Sequence, residues 1–250
     1  MKYLTFLFLL AFTSIAFAGD AKTGEEVITK MHDKYAGKWY KTLTFVQKTT
    51  NFKPDGTSTS EMWTEAMTVP GSLRIDFLDK PGDGILFANG QIFSWRDGKA
   101  NPGRPFVHPL MVLGFDVYSQ PAAKTIEQVK GIGIDLSQIH EEKWQGRKVY
   151  VVGAAAGDLK KDQVWVDKDR LVFVRLIQMV GNDKSRVAET QFNKYEKFGG
   201  GWVSVEVKFF VDGKPSTTEE YTEVQVDKAL NSDLWDAEKW STVDRNYYKK

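Results

Sequence analysis

The chain has 250 residues, 42% hydrophobic and 27% charged, with 21 Gly, 8 Pro and no cysteine. That composition excludes a collagen-like chain, a disordered charged tail, a disulfide-stapled miniprotein and any thiolate metal site. Lys and Arg number 34 against 33 Asp and Glu, so the basic surplus with which nucleic-acid binders displace counterions is missing.

Residues 1–18 have the pattern of an export signal. Lys2 is the positive start, 3–17 is an apolar run, and Ala16-Phe17-Ala18 is a small-x-small cleavage site. The run falls short of the about 20 apolar residues of a membrane span. Cleavage after Ala18 leaves Gly19 as the mature N-terminus and 33 charges of each sign. Without a cysteine to take a lipid at the processing site, the mature protein is expected in the periplasm, monomeric and with no stable membrane anchor.

Residues 21–38 read as an amphipathic helix, with Ile28, Met31, Tyr35 and Trp39 on one face and Gly37 at its stop. From 42 onward the period becomes two. Leu43, Phe45 and Gln47 alternate with Thr42, Thr44, Val46 and Lys48. Strand-like runs follow at 61–68, 72–78, 84–88 and 91–96, with Asn89-Gly90 as a hairpin turn. Residues 101–109 hold three prolines and are expected to be irregular, and 109–115 and 122–130 to be two short helices. Further strands are expected at 148–152, 163–166, 171–180, 186–195, 202–211 and 217–226. No linker composition and no repeat interrupts the series, so residues 19–250 read as one domain of mainly β (α+β) class. Consecutive strands joined by short turns imply a single curved antiparallel sheet of about 11–12 strands with a few helices packed on it. At that strand number it should twist and curl strongly.

This order of elements resembles the LolA-like periplasmic lipoprotein carriers. The similarity rests on Phe45-x-Gln47, a turn at Gly56, Trp63, and Pro70-Gly71-Ser72-Leu73-Arg74-Ile75-Asp76-Phe77. It continues through the hairpin Ile85 to Trp95, Val164-Trp165-Val166-Asp167, Phe192-x-x-Tyr195, Gly201-Trp202 and the strand ending near Leu234-Trp235. The resemblance spans roughly 22–236. It implies a half-barrel closed by the N-terminal helix and short lid helices, with acyl chains held between sheet and helices. It also implies an inner-membrane donor complex and an outer-membrane acceptor, with no cofactor and no nucleotide. One position departs: in the best-characterised branch a basic residue precedes the proline, and here Val69 precedes Pro70. Burying a methylene recovers about 0.8 kcal/mol, so a fully buried acyl chain would be held by on the order of 10 kcal/mol. A carrier that must release its client therefore needs partial burial in an adjustable cavity. The apolar strand faces point to Leu43, Phe45, Trp63, Leu73, Ile75, Phe77 and Phe93 as cavity residues.

No catalytic or metal-binding constellation is legible. His32, His108 and His140 are far apart and lack partners at ligand spacing, although His108 opens the expected lid segment and could touch a ligand. Asp162, Asp167 and Asp169 read as a solvated hairpin before a calcium site. Gly131-Ile132-Gly133 and 199–201 are turns rather than phosphate loops. Glu141 and Glu142 would point to opposite faces of a strand. The leading functional expectation is a carrier for lipoproteins or other lipid-like apolar clients, and not an enzyme. The alternatives are an envelope sensing or scaffolding module on the same fold, and an exported hydrolase.

Overall fold

The computed structural model describes residues 19–249, so the expected export signal at 1–18 lies outside the described residues. Helix α1 (Gly24–Tyr35) leads into β1 (Thr42–Phe52), β2 (Ser58–Thr68), β3 (Ser72–Phe77), β4 (Gly84–Ala88), β5 (Gln91–Arg96) and β6 (Lys99–Pro105). Helices α2 (Pro109–Gly114) and α3 (Ala122–Gly131) follow, separated by a single turn of 3-10 helix at Asp116–Tyr118. The second strand series is β7 (Ile139–Trp144), β8 (Arg147–Val152), β9 (Gln163–Asp167), β10 (Phe173–Val180), β11 (Arg186–Phe198), β12 (Gly201–Val211) and β13 (Lys214–Val226).

The strands form one 13-stranded sheet in the order β6-β5-β4-β3-β2-β1-β13-β12-β11-β10-β9-β8-β7. Each half is a meander of antiparallel neighbours. The halves meet where β1 pairs with β13, from Leu43 opposite Val226 to Asn51 opposite Thr217. The segment between β6 and β7 carries the chain from one end of the sheet to the other, which puts α2 and α3 on its face.

This order corrects the expected half-barrel. The sheet is curved but neither closed nor strongly curled, and β6 and β7 are each paired on one side only. Both strands are built to end a sheet. Lys99, Pro102, Gly103, Arg104 and Pro105 of β6 are exposed, and proline cannot donate to a further ladder. In β7, His140, Glu141, Glu142 and Lys143 crowd four polar side chains onto the edge. These are also the two strands that the sequence pattern did not reveal. The stretch expected to be irregular is β6, and the strand count is 13 instead of 11–12.

Alternation sorts the side chains to two faces. On the helix side, Val27, Ile28, Met31 and Tyr35 of α1 are buried with Tyr150, Val152, Val164 and Val166 of β8 and β9. Helix and sheet approach closely there, since a Cβ on Gly24 would meet Val152 Cγ1 at 2.4 Å. Tyr118 stacks on Trp39 with ring centroids 3.8 Å apart, and its hydroxyl accepts the Phe173 N–H at 2.9 Å. On the opposite face of β2 to β5, Ala66, Leu86, Ala88 and Trp95 are covered by the C-terminal segment, chiefly Leu234, Trp240 and Tyr247. Trp240 stacks on Trp95 at 4.0 Å with the rings nearly parallel.

Candidate functional site: a cavity between helix α2 and the sheet

Under α1 the helix face is filled. Under α2 it is not: a cavity of about 410 Å³ lies between the helix and strands from both meanders. Its walls are mostly apolar. They include Phe45 of β1, Trp63 and Met67 of β2, Leu73 and Ile75 of β3, Ile85 and Phe87 of β4, and Phe192 of β11. The roof is Leu110, Met111 and Phe115, held down where Phe115 and Gly114 meet the Phe192 ring. Asp116, immediately after α2, anchors this roof by accepting the Gly71 N–H at 3.1 Å from the turn between β2 and β3.

Phe45, Trp63, Leu73 and Ile75 of the sequence-derived set line the cavity; Leu43, Phe77 and Phe93 do not. Leu43 is fully buried in the helix-side core. Phe77 packs on Trp63 with centroids 5.0 Å apart, and the Arg96 guanidinium lies over its ring at 4.9 Å. Phe93 is on the opposite face, against the cluster of Trp95 and Trp240. Gly103 leaves room for its ring there, since a Cβ would come within 2.3 Å of Phe93 Cε1.

Four titratable side chains reach the cavity: His108, Glu65, Glu219 and Tyr221. His108 caps α2 by accepting the Met111 N–H at 3.4 Å, and its ring sits edge-on to Phe87. Burial pushes its pKa down to about 4, so the ring is neutral at pH 7. Glu65 sits between Phe45 and Ile75 on the neighbouring strands and is only 5% exposed. Burial and then the nearby Glu219 carboxylate raise its pKa well above the usual range. Glu219 is half-buried and faces the same space. Burial raises it to about 7, against the pull of hydrogen bonds from Tyr221 and Gln47. The Tyr221 hydroxyl donates to Glu219 Oε2 at 3.1 Å. Among the described residues, Glu65 has no hydrogen bond or ion pair through its side chain, and no Lys or Arg lines the cavity. Sequence reasoning missed both glutamates. The available signal was Glu65 sharing strand parity with Trp63 and Met67, a polar residue in the middle of an apolar face.

A second, open groove of about 910 Å³ lies at the hairpin tips, between Phe52-Lys53-Pro54 and Phe209-Phe210-Val211. It shares Phe209 with the cavity. The polar clusters noted in the sequence have local roles. Asp167 caps its turn by accepting the Asp169 and Arg170 N–H groups, and Asp162 accepts the Met179 N–H. His140 pairs with Glu142 at 3.0 Å, while Glu141 accepts from Lys168. No group of His, Cys, Asp and Glu that could hold a metal ion is present among the described residues.

Solved structures share this architecture. A domain assigned to outer-membrane lipoprotein sorting from Vibrio parahaemolyticus matches with a TM-score of 0.61 at 11% identity, over 87% of this chain and 98% of its own. A DUF1329 family protein from Desulfovibrio piger matches at 0.59 and 14%, over 87% and 97%. A LolA superfamily protein from Nitrosomonas europaea matches at 0.54 and 10%, over 86% and 98%. At these identities the likeness concerns fold alone. No family model matches the sequence, and no curated protein does either.

Proposed function

We propose that the protein is an exported periplasmic carrier that holds lipid-like apolar clients, lipoprotein acyl chains among them, in the cavity under α2. The observation that carries this reading is the contrast within one sheet face: α1 packs its half to close contact, whereas α2 leaves about 410 Å³ lined by aromatic and aliphatic side chains. Pockets of this size and character suit small apolar ligands. The likeness to lipoprotein-sorting structures supports the same class of client. By that likeness the client arrives from an inner-membrane donor and leaves to an outer-membrane acceptor, driven by differences in affinity.

The test fills the space. Leu110→Trp puts a large ring into the roof of the cavity. It should abolish uptake of the neutral fluorophore N-phenyl-1-naphthylamine while the protein keeps a cooperative melt, because an empty space accepts volume that a packed core rejects. Unchanged uptake in a folded Leu110→Trp protein would overturn the assignment of the cavity. Mass spectrometry of lipids extracted from protein purified from its native envelope identifies the client.

A further inference from the structure

An apolar chain needs no carboxyl group to bind it, yet the cavity contains two. Glu65 is 95% buried with no side-chain partner among the described residues, and its carboxyl opens onto an apolar cavity where ionisation is costly. The Glu219 carboxyl repels its ionised form instead of compensating it. The other titratable groups facing the pair do not supply a cation either. His108 is neutral at pH 7, and the Tyr221 hydroxyl is already donated to Glu219. No lysine or arginine lines the space.

We infer that the cavity selects amphiphiles whose apolar body carries a protonated amine, the ammonium group lying between the carboxyls of Glu65 and Glu219. This deepens the carrier reading and rests on it. An ammonium has three donors and no acceptor, so it satisfies Glu65, Glu219 or both, where an alcohol satisfies them weakly and a carboxylate is repelled. The apolar walls take the chain, and the pair sets the identity of its polar end. Burial raises both carboxyls, Glu219 to about 7, so a cation that favours their ionised forms draws a proton off the pair. Binding is therefore coupled to proton release.

The experiment is isothermal titration calorimetry at pH 6.5 with decylamine, decanol and decanoate, each below its micellar concentration, on the full chain and on Glu65→Gln and Glu219→Gln. The amine should bind roughly tenfold to a hundredfold tighter than the alcohol, as expected for a charge-assisted hydrogen bond. Decanoate should bind weakest. Each Gln variant should lose most of the preference for amine over decanol. Repeating the amine titration in buffers of different ionisation enthalpy should show net proton release in the parent and less in the variants. Equal binding of amine and alcohol by the parent, or an amine preference that survives both substitutions, would overturn the inference and leave the apolar carrier intact. Absence of binding by all three probes would overturn the carrier reading with it. Circular dichroism and thermal melts of the variants separate lost selectivity from lost folding.

Discussion

Strands β2 and β3 bury charge on both faces of the sheet, and the two faces treat it in opposite ways. On the side covered by the C-terminal segment, Arg74 is 0% exposed. Its Nε and Nη2 donate to both oxygens of Asp76 at 2.7 and 3.0 Å, and its guanidinium lies 3.8 Å from the Trp240 ring centroid. Asp76 also accepts from the Tyr247 hydroxyl at 2.8 Å. One residue along each strand, on the helix side, Glu65 looks across the cavity at Glu219 with neither cation nor donor of its own. Compensated charge clamps the C-terminal segment to the sheet. A carboxyl whose ionisation nothing compensates costs the fold instead, and its place in an accessible cavity fits the recognition role inferred above.

The contrast can be broken most forcefully at Asp76. Asp76→Ala strands a buried guanidinium and should cost about 3–5 kcal/mol in urea unfolding. A loss below about 1 kcal/mol would mean that the clamp is ornamental. Glu65→Leu should go the other way and raise stability by about 1 kcal/mol, since it replaces a carboxyl facing an apolar cavity with a side chain that fits its apolar neighbours.

Glu219→Gln sharpens the comparison through pH. The folded pKa of about 7 lies above the usual glutamate value, so between these the folded state holds more protons than the unfolded chain. Stability from this group is complete below the unfolded pKa and is lost as pH rises toward 7. Relative to the parent, Glu219→Gln should therefore gain stability from pH 4 to pH 7, on the order of 1 kcal/mol given the partial access of the carboxyl to the cavity. His108 acts in the reverse sense, its folded pKa of about 4 making the parent less stable as pH falls below the usual histidine range. The difference between parent and variant isolates Glu219 from it. The smallest effect belongs to the exposed pair of Arg186 and Asp212, 3.0 Å apart, where Arg186→Ala should change stability by less than about 1 kcal/mol.

The interior of the sheet was legible because its strands alternate cleanly, as in Val203, Val205 and Val207 of β12. Its edges were not, because what makes an edge safe also erases the strand pattern: prolines in β6 and consecutive charges in β7. The turn into β8 was hidden too. Gln145 adopts φ 48° ahead of Gly146, a conformation for which Asn or Asp is the usual signal. Within the site, strand parity put Leu73, Ile75 and Phe77 on one face, which is the helix side, whereas Phe93, expected in the cavity, lies with Trp95 on the opposite face. Nothing in the sequence signals that the far face of β5 is covered. Both faces of β5 carry apolar residues, and the cover on the far one comes from residues 230–249, whose docking has no local signature. Glu219 was illegible for a similar reason: β13 reads Lys-Pro-Ser-Thr-Thr-Glu-Glu-Tyr, with no apolar alternation to assign it a side.

The pairing of β1 with β13 also fixes an order of events. It joins residue 43 to residue 226, so the two meanders become one sheet only when nearly the whole chain is at hand. Contacts this distant in sequence close slowly, since the entropy of a long loop must be lost before its pairing is gained. A chain emerging from a ribosome or a translocon stays without its central seam until β13 is free. The cavity takes Glu65 from one meander and Glu219 from the other. It is therefore among the last parts of the molecule to exist, and an unfinished chain has no place to trap a client.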